Sequence, residues 1–432
     1  MKPRFLLMLA LAMGAVLLPE SAAAQPTVIA SIPVAAVPLG VAVNPATNRI
    51  YVANVGNNNV SVIDGGTNTV IATIPVGWAP FCVAVNPVTN LIYVANSSDA
   101  TLSVIDGATN TVAATVPVGA MPFGVDANPT TNRIYVASEV SQDVSVIDGA
   151  TNVVVGTVPV GWVPRGVAVN PVTNRIYVAN SGDATVSVID GTTDTVVAVV
   201  AAMHWPFGVA ANPSTNRIYV TDNATDAVRV IDGATDTVVD SVTVGVRPGG
   251  VAVNPTTNRI YVANWGNPGH TISNTVSVIQ GETDTVVATV TVGNEPWGVA
   301  VNPTANRIYV SSDNTVSVIE DLPTPTPIPT TGAPTPTPAL PGTTESVPLQ
   351  GGVCNPVATT YPDSTPIATI AGAVTPPGVL ESLWEFEGGV WMGWSAEFPE
   401  ASDLPEKDFL DVVFVCVGGS GPGAATFTRP VP

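Results

Sequence analysis

The stretch NPTTNRIYVAN, from Asn254 to Asn264, decides the fold, because near-copies of it occur seven times along a chain of 432 residues. The Asn-Pro that opens it stands at Asn44, Asn86, Asn128, Asn170, Asn212 and Asn254, each 42 residues after the last, and Asn302 follows after 48. Self-similarity at this period marks a solenoid, a propeller or an array. Each copy carries four short apolar segments; in the fourth they read GVAVN, RIYVAN, TVSVID and DTVVAVV. Val, Ile, Tyr and Thr dominate them, which favours pleated strands over helix. NPxTN links the first segment to the second and DGxT the third to the fourth, both turn-forming sequences. Links this short require antiparallel neighbours, since parallel strands need a long crossover. Each copy is therefore expected to form a four-stranded meander, a propeller blade rather than one coil of a parallel β-helix.

The two ends of the repeat region fit each other. TVIASIPV (Thr27 to Val34) precedes the first Asn-Pro and matches a fourth strand such as TVIATIPV (Thr69 to Val76), whereas the seventh copy stops after its third strand at SVIED, Ser317 to Asp321. The N-terminal strand then completes the last blade and closes a ring of seven, which protects the terminal edges. Repeats of the form NPxTNRIYVAN…VSVIDGxTxTVVATVPVG resemble the YVTN β-propeller family of exported and surface-layer proteins, although the copies here read YVAN, YVAS, YVTD and YVSS. The resemblance spans residues 25–321 and implies an all-β, seven-bladed propeller; it implies no single activity, because propellers carry many.

Strand alternation sorts the links onto two faces. The bottom face carries turns that are nearly identical from copy to copy, with Asn44 and its equivalents, the tyrosines at 51, 93, 135, 177, 219, 261 and 309, and the arginines at 49, 133, 175, 217, 259 and 307, Leu91 standing in the second copy. Groups repeated around a ring are explained by what every blade needs, and each arginine is expected to pair with a nearby turn carboxylate or carbonyl. On the top face the copies diverge around a shared proline, as in VGWAPFC, VGWVPRG and AMHWPFG. The phenylalanines and tryptophans of the propeller gather there, outside the strands: Trp78, Phe81, Phe123, Trp162, Trp205, Phe207, Trp265 and Trp297. Arg165, Arg247, His204, His270 and Glu295 join them, whereas Arg229 lies in a third strand and is expected to face solvent. Aromatic and arginine side chains are what recognition surfaces are enriched in; the other reading has these rings capping the blade tops. Asp126 is another irregularity, since its six equivalents are alanine on the innermost strand. A carboxylate there lies near the central channel, where it binds a cation or water or is simply tolerated. Cys82 replaces a glycine and reads as a small buried or channel-side thiol.

Outside the ring, residues 1–24 (Lys2 and Arg4, then an apolar run, then Ala22-Ala23-Ala24) read as a signal peptide, so export is expected, to a secreted or cell-surface location. The formal charge is −20; losing Lys2, Arg4 and Glu20 makes it −21. Such a charge disfavours nucleic acid and anionic membranes as partners. Residues 322–346 form a Pro/Thr-rich spacer and 347–432 a small, mainly β domain in which GVLESLWEF is a strand or a short helix. Export makes a Cys354–Cys416 bridge the expectation in this domain. The segment 25–321 has no lysine, no phosphate-cradling loop and no metal-ligand spacing, so neither catalytic residues nor a cofactor or metal is assigned. Three functions stay open: a non-catalytic scaffold whose top face binds a protein, peptide or carbohydrate partner; a structural surface-layer component; and an oxidoreductase or lyase with a top-face metal or quinone.

Overall fold

The computed structural model describes residues 25–201, 203–267 and 271–321, together with seven strands between Thr344 and Pro430. The chain divides into two compact units, Met1–Thr326 and Pro327–Pro432. The first holds seven four-stranded antiparallel sheets, each built from strands consecutive in sequence except one. Blade one runs Pro38–Asn44, Arg49–Asn54, Asn59–Asp64 and Thr69–Pro75. Blade seven takes Val299–Asn302, Arg307–Ser312 and Thr315–Glu320 from one end of the repeat region and Thr27–Pro33 from the other, with Thr27 opposite Glu320 and Pro33 opposite Thr315. The ring is a seven-bladed β-propeller, closed by its N-terminal strand.

The second strand of each blade explains why the phrase is so apolar. In Arg49–Asn54 every residue after the arginine is buried, because both faces of the sheet are covered by neighbouring blades. The seven tyrosines are completely buried between sheets. Strands buried on both sides lose the usual in-out alternation, which is why RIYVAN is read as a run.

The polar half of the phrase welds the blades together. In each copy the first asparagine donates from Nδ2 to Oδ1 of the last asparagine of NPxTN in the next blade, at 2.7–2.9 Å all the way round. The bond from Asn302 to Asn48 closes the circle across 254 residues of sequence. The first asparagine also accepts a turn N–H, as Asn44 does from Ala46 at 3.0 Å. The last one, from Asn48 to Asn306, sits in the left-handed region, with φ between 48° and 57°, which asparagine tolerates better than other residues with a side chain. The Asn-Pro is thus both a turn and an inter-blade clasp.

The bottom-face arginines reach the next blade as well. Arg133 lies 3.6 Å from Asp194, Arg217 pairs with Asp284, Arg307 donates to the Gly65 carbonyl at 2.8 Å, and Arg175 lies 3.8 Å from Asp190 of its own blade. Blade seven lacks a DGxT turn, and there Asp321 takes the place of the turn carboxylate. It is fully buried and accepts from both Arg259 and the hydroxyl of Tyr261.

Around the central channel the first strands approach so closely that glycine is required. A Cβ on Gly40 would lie 2.5 Å from the Phe81 carbonyl oxygen of the next blade, and one on Gly208 2.5 Å from that of Gly249. Gly124, Gly166, Gly250 and Gly298 meet the same obstacle. Cys82 occupies the remaining position in this collar as a free thiol, and burial pushes its ionisation up to about 12.

At the rim the fourth strands are the exposed ones. All seven carry a register shift against the third strand, as between Val62 and Ile63 in blade one. The bulge turns apolar residues such as Ile71 outward and breaks the flatness of an edge otherwise open to pairing.

In the second unit, Cys354–Ala358, Val412–Val417, Leu380–Glu387 and Val390–Ser395 form one antiparallel sheet. Thr344–Leu349, Ala425–Pro430 and Val374–Thr375 form another. Within GVLESLWEF the described residues, from Leu380 on, are strand, and Thr344 begins its strand inside the stretch read as spacer. The register sets Cys354 opposite Cys416 on adjacent strands, a placement compatible with the expected bridge. Among the described residues no helix is long and apolar enough to cross a membrane.

Candidate functional site

The diverging residues of the top face fall into two concentric rows, set by their distance from the shared proline. The residue just after each proline is Leu39, Phe81, Phe123, Arg165, Phe207, Gly249 or Trp297, and of these Phe123, Phe207 and Trp297 line the cavity at the channel. Phe81, Phe123 and Phe207 therefore belong to the first strands, which begin at the proline, and Trp265 to the second strand of blade six, Arg259–Asn267. The expectation that the aromatic rings stand outside the strands is corrected on this point: the proline starts the strand instead of ending the loop.

The inner row is a packed lid. Ring centroids lie 5.0 Å apart for Phe81 and Phe123, 5.6 Å for Phe123 and Phe207, 5.2 Å for Phe207 and Trp297, and 4.9 Å for Trp297 and Trp265. The last three contacts are edge-to-face, the arrangement that ring quadrupoles favour, worth about 0.5–1.5 kcal/mol each beyond area burial. Arg165 stacks its guanidinium 5.0 Å from the centroid of Phe207 and 5.5 Å from that of Phe123, and pairs with Glu139 at 2.9 Å. Arg247 lies 5.7 Å from the centroid of Trp205 and 5.3 Å from that of Trp265, and donates to Asn223 at 3.2 Å. Phe123 and Phe207 are only 7 % exposed. These rings pack on one another in a continuous chain, the contact that the capping reading expects. Below the lid is a cavity of about 130 Å³, lined by the glycine collar and by one valine from each blade.

The outer row lies two residues before each proline and reads Ala36, Trp78, Ala120, Trp162, His204, Val246 and Asn294. Trp78 is 67 % and Trp162 63 % exposed, and neither contributes to the ring contacts of the lid. Their backbones are nevertheless fixed, since the N–H of Trp78 donates to Asp99 and that of Trp162 to Asp183, both at 2.6 Å. Trp205, 38 % exposed, stands between the rows with an arginine on either side.

Beside it lies a group that single-position reading missed. Asp222, fully buried, accepts from the backbone N–H of Trp205 at 3.1 Å and of His204 at 3.2 Å, and from Arg229 at 3.2 Å; the His204 Nδ1 is 3.4 Å away. Burial pushes its carboxyl up, but the Trp205 N–H, Thr225, His204 and Arg229 outweigh that and hold it below the usual range. Arg229 therefore does not face solvent as expected. In blade five the pair Asp222 and Arg229 replaces the Asn-and-Ser pair seen in blade one, where Asn54 donates to Ser61 at 2.9 Å. Glu139, Asp99 and Asp183 were missed too. The signal was present in the alignment of copies, because the loop acceptor is aspartate where the residue two before the proline is Trp78 or Trp162, and Asn57 or Ser141 where it is Ala36 or Ala120. Glu295 lies on the same face in the left-handed region, and its N–H donates to Ser273; His270 lies outside the described residues.

Asp126 uses both carboxylate oxygens on backbone, accepting from its own neighbour Ala127 and from Val169 of the next blade, each at 2.8 Å. Burial pushes its ionisation up to about 6, against these two hydrogen bonds. Since an unfolded aspartate titrates near ~3.9, the fold favours the protonated form. The stabilising contribution is full below pH ~4 and is lost as pH rises through about 6. The stability difference between the parent and Asp126→Asn, measured by denaturant titration, is therefore expected to fall across that window; a pH-independent difference would contradict it.

Comparison with family models gives no match, and neither does comparison with curated proteins. Among solved structures the chain is similar to a Kuenenia stuttgartiensis hydrazine synthase, with a TM-score of 0.59 and 20 % identity over 66 % of this chain and 95 % of that one. At this identity the likeness establishes the propeller fold and nothing of the chemistry.

Proposed function

We propose that this is an exported, non-catalytic propeller of the YVTN-repeat type that binds a partner on its top face. The reading rests on one observation: Trp78 and Trp162 are 67 % and 63 % exposed, yet anchored through their backbones, on the face where the copies differ. Large rigid side chains held out to solvent are typical binding anchors, and an exposed indole contributes little to stability. Trp297 and Phe207, by contrast, belong to the lid and serve the scaffold. The test is affinity capture from the native envelope with the parent chain and with Trp78→Ala/Trp162→Ala. The variant is expected to keep its melting temperature and lose the captured partner; undiminished capture would refute the proposal.

A second reading, lateral assembly in a surface layer, is favoured by the outer wall of blades three and four. Val153, Val155, Val197 and Val199 are 48–61 % exposed there. The bulge in every outer strand works against strand-to-strand pairing, so such assembly would have to pack valine faces. Sedimentation separates the two readings, since a monomer at high concentration leaves the top face as the working surface.

A further inference from the structure

The exposed tryptophans come paired with charge. One oxygen of Asp99 holds the Trp78 N–H and one oxygen of Asp183 holds that of Trp162, and both aspartates are exposed. Among the described residues neither carboxylate belongs to an ion pair. The backbone clamp itself needs no charge, because Asn57 holds the Ala36 N–H at the same 2.6 Å and Ser141 holds that of Ala120. Of these four crossings, the two that present an indole are the two that present a carboxylate. An exposed indole whose own backbone N–H is held by an unneutralised carboxylate offers a cation two attractions, the ring quadrupole and the charge. The nearby guanidinium of Arg165 is turned inward onto the lid and Glu139. The formal charge of −20 adds long-range attraction for cations and repulsion for anions.

We infer that Trp78 with Asp99, and Trp162 with Asp183, are two stations for the lysine or arginine side chains of one basic peptide segment. This deepens the top-face reading and rests on it. The stations occupy equivalent positions in crossings two blades apart, so for a segment long enough to reach both, occupying the second becomes intramolecular.

The test uses the full chain and a synthetic peptide of alternating lysine and glycine, titrated by calorimetry at low salt and at about 0.3 M NaCl. A neutral glucan oligosaccharide is run in parallel. The peptide is expected to bind and to weaken with salt. Trp78→Ala/Trp162→Ala is expected to lower affinity by about tenfold or more. Asp99→Asn/Asp183→Asn keeps the clamp, as Asn57 does, and is expected to weaken binding and flatten its salt dependence. Unchanged binding by the aspartate variant, or tryptophan-dependent binding of the glucan in place of the peptide, would overturn the inference. If the peptide does not bind while envelope capture still requires the tryptophans, this inference falls and the top-face function stands. If capture is also indifferent to the tryptophans, both fall.

Discussion

Asp321→Ala is expected to destabilise the propeller by about 3–5 kcal/mol, the usual cost of removing one partner from a buried ion pair. Arg259 is only 7 % exposed and Asp321 is fully buried, so removing the carboxylate takes a buried counter-charge away from a guanidinium that water barely reaches. The hydroxyl of Tyr261 loses its acceptor at the same time. The position matters as much as the chemistry. Asp321 directly follows Thr315–Glu320, the strand that pairs with the N-terminal strand to close the ring. Loosening it releases the seam where the two ends of the repeat region meet. Denaturant unfolding checks the size of the effect, and Arg259→Met/Asp321→Leu checks its cause. If the penalty comes from keeping the guanidinium buried without Asp321, the double variant recovers most of the stability. If it comes from the shape of the site, the double variant is no better than the single one.

The second large effect comes from adding one methyl group. Gly124→Ala places a Cβ on the Arg165 carbonyl oxygen of the next blade, where only backbone can give way. Overpacking of this kind costs typically about 1–3 kcal/mol and occasionally more. Here the strain falls on the channel collar, so both neighbouring blades have to shift. Gly156→Ala is the matched control. Its Cβ would meet Val146 at an ordinary 3.8 Å, and alanine stands at the equivalent position in blades one and two. That substitution is expected to stabilise by about 0.4–1 kcal/mol, through the lower entropy of the unfolded chain. Opposite signs for the same chemical change, read from paired melting curves, would establish the collar as the constraint; equal signs would remove it.

Much of this molecule is legible in its repeats because each blade touches only its neighbours. A 42-residue period then encodes the same local geometry again and again, and comparing copies separates what the scaffold needs from what varies. Closure was legible for the same reason: TVIASIPV matches the strand that blade seven lacks, and the two pair in register. The covariation of Trp78 with Asp99 and of Trp162 with Asp183 was equally available, but it appears only when loops 21 residues apart are compared.

The sequence by itself determined the class of fold, the number of blades, the closing strand and the face on which the copies diverge. Those follow from periodicity, strand chemistry and alternation, which are local. Only the tertiary structure decided which aromatic side chains form the lid and which stand in solvent. Phe123 and Trp78 lie on the same crossing-side rim and look alike as residue types, yet one is 7 % and the other 67 % exposed. The difference arises because Phe123 packs against Phe81 and Phe207 of other blades and lines the channel cavity, whereas Trp78 makes none of these ring contacts. The same holds for the partner of Arg259, a carboxylate that the next blade brings alongside from 62 residues along the chain. A repeat fixes the register of its copies, but contacts between blades at positions that have departed from the repeat, such as Arg259 with Asp321, exist only once the blades are packed side by side.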